Sequence, residues 1–501
     1  MSSTEQENII KTPELTYTIH KVVHGNPRWT RITSQNATDF TTTSLTTSSG
    51  LYELIIPSSV FNLSKSRLNF TVSFNPADTA YVTTSLNAGS FINRVSLSTL
   101  SGTLLCDISN YSKIAQMILP MSTSQADLST YNQGLPTSTV DGVVSTHCIP
   151  TSTSVALATT AAKLTPFGAL TRSDIGFTAL AGGGIPNIIG DRTRHPHQYL
   201  GLRQMGYNTT VGATVMSAVT FDVALGELFK HTLMSVDKLL YFGGESLSLQ
   251  LYYEQPSNFS VYTTTVPPTS DLVVGGGAYV TAGHSIVFSS PTLYLRQEQN
   301  LEQARQVMER CNSKGLELPF SYLYGSKQVF TASSQQTIQQ TINSSLGMSL
   351  LFVGSAPFDS TDSGAGFNSN AITPILRNAI TATQLNSYNS FIDSIPISSA
   401  GGYNVLEGDH YRANSDNFEG SASPLSITEY NYNFTHIDSF VGMPLHKLAT
   451  EGQCMENGMS LGANRVWSLQ ANFAASIAKV WYIVWAVQRL LIIKDGRVSV
   501  M

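Results

Sequence analysis

Arg67-Leu68-Asn69-Phe70-Thr71-Val72-Ser73-Phe74 alternates polar and apolar residues without a break. Side chains on a strand alternate faces, so Leu68, Phe70, Val72 and Phe74 fall on one side, and the segment predicts a strand that buries one face and shows the other to water. Outward from it, similar apolar, β-branched and aromatic runs predict strands over 51–57, 91–97, 103–108, 215–225, 246–254, 285–296, 317–330, 348–353, 425–434 and 466–473. Helical spacing is scarce. It is clearest over 300–311, where Leu301, Ala304, Val307, Met308 and Cys311 share a stripe and Gly315 is placed to end the helix. A second helix is predicted over 110–119, with Tyr111, Ile114, Ala115 and Ile118 on one face, and a third over 225–240. The class is therefore all-β with a few short helices.

The stretch 473–493, FAASIAKVWYIVWAVQRLLII, is long enough to span a bilayer, but Lys479, Gln488 and Arg489 interrupt it and are costly at depth. It reads better as a long strand region beside the core, closed by the turn Lys494-Asp495-Gly496 and a last short strand over 497–501.

A chain of 501 residues exceeds the size at which one hydrophobic core usually stops growing, so two domains are expected. The predicted helix at 300–311 lies just past the midpoint between strand-rich halves. It divides the chain into an N-terminal arm (1–45), a first β domain (46–297), a linker helix (298–314) and a second β domain (315–501). Long polar stretches at 121–168, 182–207, 356–402 and 408–424 read as excursions used for surface or partner contact. No repeat with a period of 20–50 residues is visible, which argues against a solenoid or propeller.

Charged residues make up 12% of the chain against a usual ~25%, replaced by Ser, Thr, Asn, Gln and Gly. Such a surface suits strands and loops, and it lowers repulsion between copies of one protein. The formal net charge is −5, and Lys11, Lys21, Arg28 and Arg31 near the N-terminus are balanced by Glu5, Glu7 and Glu14. Tight electrostatic binding of nucleic acid is not expected. The N-terminus MSSTEQENII has no signal-peptide pattern, so secretion is not expected, and the sequons at Asn62 and Asn69 would stay unmodified. Cys106, Cys148, Cys311 and Cys454 show no CxxC spacing and are read as free thiols.

No catalytic, cofactor-binding or metal-binding residue is assigned. His195-Pro196-His197, near Arg192, Arg194 and Arg203, suggests a metal or phosphate site, yet Pro196 extends the chain there and no third ligand is near. Glu407-Gly408-Asp409-His410 suggests acid–base work without a visible partner. Gly182-Gly183-Gly184 and Gly275-Gly276-Gly277 do not continue into a phosphate-binding turn. The aromatic residues Tyr252, Tyr253, Trp481, Tyr482 and Trp485 are assigned to core or subunit interface rather than to a sugar-stacking platform.

Three segments carry a family resemblance. Phe91-Ile92-Asn93-Arg94-Val95-Ser96-Leu97, followed by Gly102-Thr103-Leu104-Leu105-Cys106-Asp107-Ile108-Ser109-Asn110-Tyr111, resembles a strand pair leading into an Asn-Tyr helix in the major capsid proteins of polinton-like viruses, virophages and adintoviruses. Gly226-Glu227-Leu228-Phe229 through Leu239-Leu240-Tyr241-Phe242 to Leu247-Ser248-Leu249-Gln250-Leu251 is similar to a later stretch of that family. Ser290-Pro291-Thr292-Leu293-Tyr294-Leu295 resembles the last strand of its first jelly roll. The resemblance runs in family order from about residue 50 to the C-terminus. It implies two consecutive eight-stranded jelly-roll sandwiches, a double jelly roll, with long loops and few helices. It further implies a homotrimer that tiles an icosahedral double-stranded DNA virus shell, contacts neighbouring capsomers, penton and minor capsid proteins, resides in the virion and is made inside the host cell, with no enzymatic activity and no cofactor. The same resemblance makes Leu180-Ala181-Gly182-Gly183-Gly184 similar to a maturation-protease recognition pattern, although a flexible loop is the simpler reading. Two rivals stand beside it: a Ser/Thr-rich adhesin, spike or glycan-binding β-sandwich, which the missing signal peptide weakens, and a carbohydrate-active hydrolase, which lacks a recognisable carboxylate pair.

Overall fold

A computed structural model describes residues 27–43, 47–75, 81–85, 88–122, 139–140, 143–144, 202–207, 218–255, 260–263, 285–359, 385–396, 403–404, 441–445 and 458–501. In chain order the strands are β1 (Pro27–Thr33), β2 (Phe40–Thr42), β3 (Tyr52–Ile56), β4 (Phe61–Asn75), β5 (Tyr81–Ser85), β6 (Ile92–Thr99), β7 (Leu104–Ile108), β8 (Thr139–Val140), β9 (Val143–Val144), β10 (Leu202–Tyr207), β11 (Ala218–Ala224), β12 (Leu247–Tyr253), β13 (Ser260–Thr263), β14 (Ser285–Phe288) and β15 (Thr292–Glu298). The C-terminal part continues with β16 (Leu316–Ile342), β17 (Ser349–Asp359), β18 (Leu385–Ile392), β19 (Ile395–Pro396), β20 (Tyr403–Asn404), β21 (Val441–Pro444), β22 (Met459–Ser460), β23 (Arg465–Lys494) and β24 (Arg497–Val500). The α-helices are α1 (Tyr111–Ser122), α2 (Leu225–Leu228) and α3 (Leu301–Glu309). No helix among the described residues is long and apolar enough to cross a membrane.

The alternating segment lies within β4, and Leu68, Phe70 and Val72 are buried as their spacing predicts. Strand β4 is the spine of a six-stranded sheet ordered β1-β15-β4-β14-β2, with β11 also paired to β4. A four-stranded sheet, β3-β12-β6-β7, covers its apolar face. Rings interlock between the two layers: Phe70 of one sheet lies 5.6 Å from Tyr253 of the other, and Tyr253 stacks on Phe288 at 4.6 Å. This is a β-sandwich held by apolar burial on alternate strand positions.

Strands β1 and β2 fall inside 1–45, the stretch read as an arm. Every residue of β1 pairs with β15, from Pro27 opposite Glu298 to Thr33 opposite Thr292, and β2 pairs with β14. Strand β1 is mostly exposed on both faces, so no apolar alternation marks it, and backbone pairing holds it in the sheet.

The C-terminal sheet has a different construction. Strands β16 and β23 form one antiparallel ribbon from Leu316 opposite Ile493 to Ile342 opposite Arg465, interrupted by register shifts between Phe330, Ser333 and Gln335. Trp481 sits opposite Gln328, yet its indole Nε1 donates to Gln336 Oε1 at 2.7 Å. On an extended strand Gln328 and Gln336 would be about 26 Å apart at ~3.3 Å per residue, so the ribbon is folded over at the irregularity. Ser326 Oγ, bonded to Gln340 Oε1 at 2.7 Å, and Ser333 Oγ, bonded to the Gln335 carbonyl at 2.6 Å, mark the same fold-back. The late half of β23 carries β17 on its other edge, the early half carries β18, and folding sets the two halves face to face. A second sandwich therefore arises from one ribbon, with Trp467, Trp481, Ile338, Ile342 and Leu469 in its interior.

The turn read at Lys494-Asp495-Gly496 forms: Asp495 and Gly496 have φ of 51° and 73°, and Lys494 pairs with Arg497. Positive φ at both central residues belongs to the hairpin turn whose twist matches paired strands. Helix α1 buries Tyr111, Ile114, Ala115 and Ile118 as expected. Helix α3 starts at Asn300, whose side chain accepts from the Glu302 and Gln303 amides, and Gly315 at φ 78° follows its last, wider turn. Its stripe faces the core only in part: Cys311 is buried in the core, Val307 packs against it, Ala304 and Met308 are half-buried, and Leu301 is 86% exposed. The helix predicted over 225–240 is also corrected. Helix α2 stops at Leu228, His231 takes a left-handed φ of 57°, and Thr232 caps a separate 3-10 turn, Leu233–Ser235. A left-handed residue cannot continue a right-handed helix. Likewise the strand expected over 285–296 is two, β14 and β15, separated by Ser289-Ser290-Pro291. The strand expected over 425–434 lies outside the described residues.

Candidate functional site

Most of the residues weighed for chemistry lie outside the described residues: Arg192, Arg194, His195 and His197, the run Glu407 to His410, the glycines 182–184 and 275–277, and Cys148 and Cys454. Arg203 lies on β10. Among the described residues no group of three His, Cys, Asp or Glu side chains is arranged to hold a metal ion. Cys106 and Cys311 are buried free thiols, and burial pushes both thiol pKa values up, which suppresses the reactive thiolate. Tyr253, Trp481, Tyr482 and Trp485 are all buried, so they form core and not a sugar-stacking platform. Asn62 is 7% exposed and its amide donates to Asp237 Oδ1 at 2.7 Å, which leaves that sequon engaged inside the fold.

One buried polar cluster has the look of chemistry. Glu254, at the end of β12, accepts from Ser112 Oγ at 2.5 Å, from Asn93 Nδ2 at 2.9 Å and from the Gln255 amide at 2.8 Å. Glu254 and Ser112 are both buried, and the cluster ties α1, β6 and β12 together. A carboxylate satisfied by three donors and closed to solvent is a brace, because a working base needs a free lone pair facing substrate. Glu254→Ala is expected to cost about 2–3 kcal/mol by leaving the buried Ser112 hydroxyl and the half-buried Asn93 amide without their acceptor, read by urea unfolding. A change below 0.5 kcal/mol would remove this assignment.

The most constructed part of the molecule is the junction between the sandwiches. Gly243 and Gly496 meet there backbone to backbone: a Cβ on Gly243 would stand 2.8 Å from the Gly496 Cα, and both residues have positive φ. Thr103 Oγ1 donates to the Val498 carbonyl at 3.3 Å, and the Asp495 amide donates to the Asn312 carbonyl at 3.3 Å. Gly325 of β16 gives room to Ile114 of α1, whose Cδ1 would be 2.4 Å from a Cβ at that position. His231 stands edge-on to Phe352 of β17, with centroids 5.1 Å apart. Buried side chains from both sandwiches join one continuous apolar cluster. Close packing of this kind fixes the relative pose of two sandwiches, as packed interiors resist small displacements.

The outer surface carries scattered apolar side chains: Trp29 on β1, Leu100 in the β6–β7 turn, Leu301 on α3, Val329 on β16 and Ile395 on β19. The long edge of β16 is interrupted by Pro319, Lys327 and the register shifts after Phe330, features that discourage open-ended strand addition.

The chain matches no protein-family model and no curated protein sequence. Its fold does match solved structures. A chain of the 3.5 Å cryo-EM structure of the Sputnik virophage aligns over 96% of this chain and 89% of its own length, with a TM-score of 0.53 and 14% identity. The fold is the double jelly roll. The Faustovirus major capsid protein aligns over 94% of this chain and 91% of its own, with a TM-score of 0.50 and 10% identity. Because these alignments run nearly end to end, both sandwiches and the junction between them belong to the double jelly roll. The expected succession of two jelly rolls with few helices is thus found. The folded ribbon of β16 and β23 is the feature of the second jelly roll that local periodicity did not reveal. Neither Gly243 nor Gly496 carries a local sequence signal for its role beyond the Asp-Gly turn, since the two meet only in the folded chain.

Proposed function

We propose that this chain is the major capsid protein of an icosahedral double-stranded DNA virus, a structural subunit without enzymatic activity. The observation that carries the reading is the double jelly roll extending through the whole chain, shared with a Sputnik virophage chain and with the Faustovirus major capsid protein. The rigid junction supports it physically. Two sandwiches locked at a fixed angle present six lobes in a trimer, a pseudo-hexagonal tile whose edges can meet those of its neighbours. A low-charge surface favours contact between identical copies, and a net charge of −5 disfavours tight binding to the genome. In this reading 46–297 forms the first jelly roll, with the strands at 27–42 added to it, 298–314 links the two, and 315–501 forms the second. Partners are two sister subunits, then neighbouring capsomers, penton and minor capsid proteins. The protein is made in the host cell interior, is not secreted and resides in the virion.

The purified chain is expected to sediment as a stable trimer and to form sheets or shells at raised salt or concentration, visible by electron microscopy. A monomer that binds or cleaves a polysaccharide would refute the proposal in favour of a glycan-binding or hydrolytic β-sandwich.

A further inference from the structure

We propose that His231 makes the junction between the two jelly rolls an acid-sensitive latch: the closed junction holds a neutral imidazole against Phe352, and acid favours an opened state in which the ring is wet and charged. The ring is 6% exposed and bridges the sandwiches, arriving from the α2 side of the first and resting at 72° against Phe352 in the second. Its neighbours along the chain, Phe229, Thr232, Leu233 and Met234, are buried as well, so the whole segment lies inside the fold. Its backbone is left-handed and is followed directly by the Thr232-capped turn.

Charged groups stand on the chain beside the ring and on the elements that pack near it. Lys230 precedes it, and Glu227 on α2 already faces Lys230 at 3.4 Å. Strand β17 brings Asp359 at its far end, and β16, which touches the 3-10 turn, brings Glu317 and Lys327 at exposed positions. Lys65 and Arg67 on β4 are paired with Asp237 and with Asp222 of β11. Burial, with Lys230 adding to it, lowers the imidazole pKa to about 3 from the ordinary 6.5. The opened or unfolded state recovers the ordinary value and binds a proton that the closed state refuses. Stability of the closed junction is therefore complete above pH 6.5 and declines as pH falls from 6.5 towards 3. The lowered carboxyl pKa values of Asp237 and Asp393 act only near and below their ordinary 3.8, outside the interval from pH 6.5 to 4.5, and non-titrating variants separate His231 from the other nine histidines of the chain.

The test is hydrogen exchange on the full-length protein between pH 7.5 and 4.5, with protection factors corrected for the pH dependence of chemical exchange. Protection over 225–236 and 349–356 is expected to fall up to about tenfold per pH unit below 6.5. His231→Asn, which tolerates the left-handed backbone and does not titrate, is expected to remove that dependence, and His231→Gln serves as a second non-titrating variant. Full retention of the dependence in either variant overturns the latch, as does wild-type protection that is flat with pH or lost uniformly along the chain. If neither variant folds, the wild-type profile decides: loss confined to the two junction segments supports the latch, and any other pattern overturns it.

Discussion

Trp481→Ala will lower stability by about 3–5 kcal/mol, the range for emptying a buried tryptophan site. Trp481 is fully buried, with its ring 6.1 Å from Phe473, and it donates to a glutamine on the opposite limb of the folded ribbon. Deleting it removes apolar contacts and leaves the buried Gln336 oxygen without its indole donor, a loss that a nearby water can restore only if the cavity admits one. The damage should concentrate in the second jelly roll. Differential hydrogen exchange should show early loss over 335–342 and 465–473 while β4 and β12 keep their protection. Trp481→Phe, which keeps most of the ring volume, should recover most of the packing and retain only the polar penalty. If Trp481→Ala unfolds within 1 kcal/mol of the wild type, the ribbon is not held closed by this residue.

The second large effect is expected at the glycine pair. Gly243→Ala places a methyl group against the Gly496 backbone, and backbone cannot swing aside as a side-chain end can. The residue also sits at φ 64°, where a Cβ costs about 1–2 kcal/mol. With about 1–3 kcal/mol for overpacking, the total is about 3 kcal/mol. Gly244→Ala separates the two causes. Its φ is 97°, but the nearest atom to an added Cβ is the Tyr241 hydroxyl at an ordinary 3.6 Å, so only the backbone cost should remain. Equal unfolding midpoints for the two variants in urea would mean that the Gly243–Gly496 approach contributes nothing.

The sequence made the first jelly roll readable where each strand buries one face. Leu68, Phe70 and Val72 could be placed inward from spacing alone, and so could Tyr111, Ile114, Ala115 and Ile118 on α1. Legibility failed where long-range pairing decides the structure. The limb Gln335 to Ile342 of β16 has six polar residues of eight, with only Ile338 and Ile342 as apolar anchors, and it is a strand because Asn472 to Arg465 run beside it. For the same reason β1 escaped detection, since its partner β15 is far away in the chain. The 225–240 helix failed for a local reason that periodicity does not register, the left-handed backbone at His231. The junction was illegible altogether. Gly243, Gly325 and Gly496 look like any loop or strand glycine until the fold brings Ile114 and the opposing turn against them.

The pairing of β1 with β15 and of β16 with β23 has a consequence for biosynthesis. Translation delivers Pro27 about 270 residues before its partner Glu298, and Leu316 about 180 residues before Ile493. Contacts so distant along the chain carry a large closure entropy and make folding slow. Until those partners emerge, the backbone edges of β1 and β16 stay unpaired, and unpaired edges on neighbouring nascent chains are open to one another.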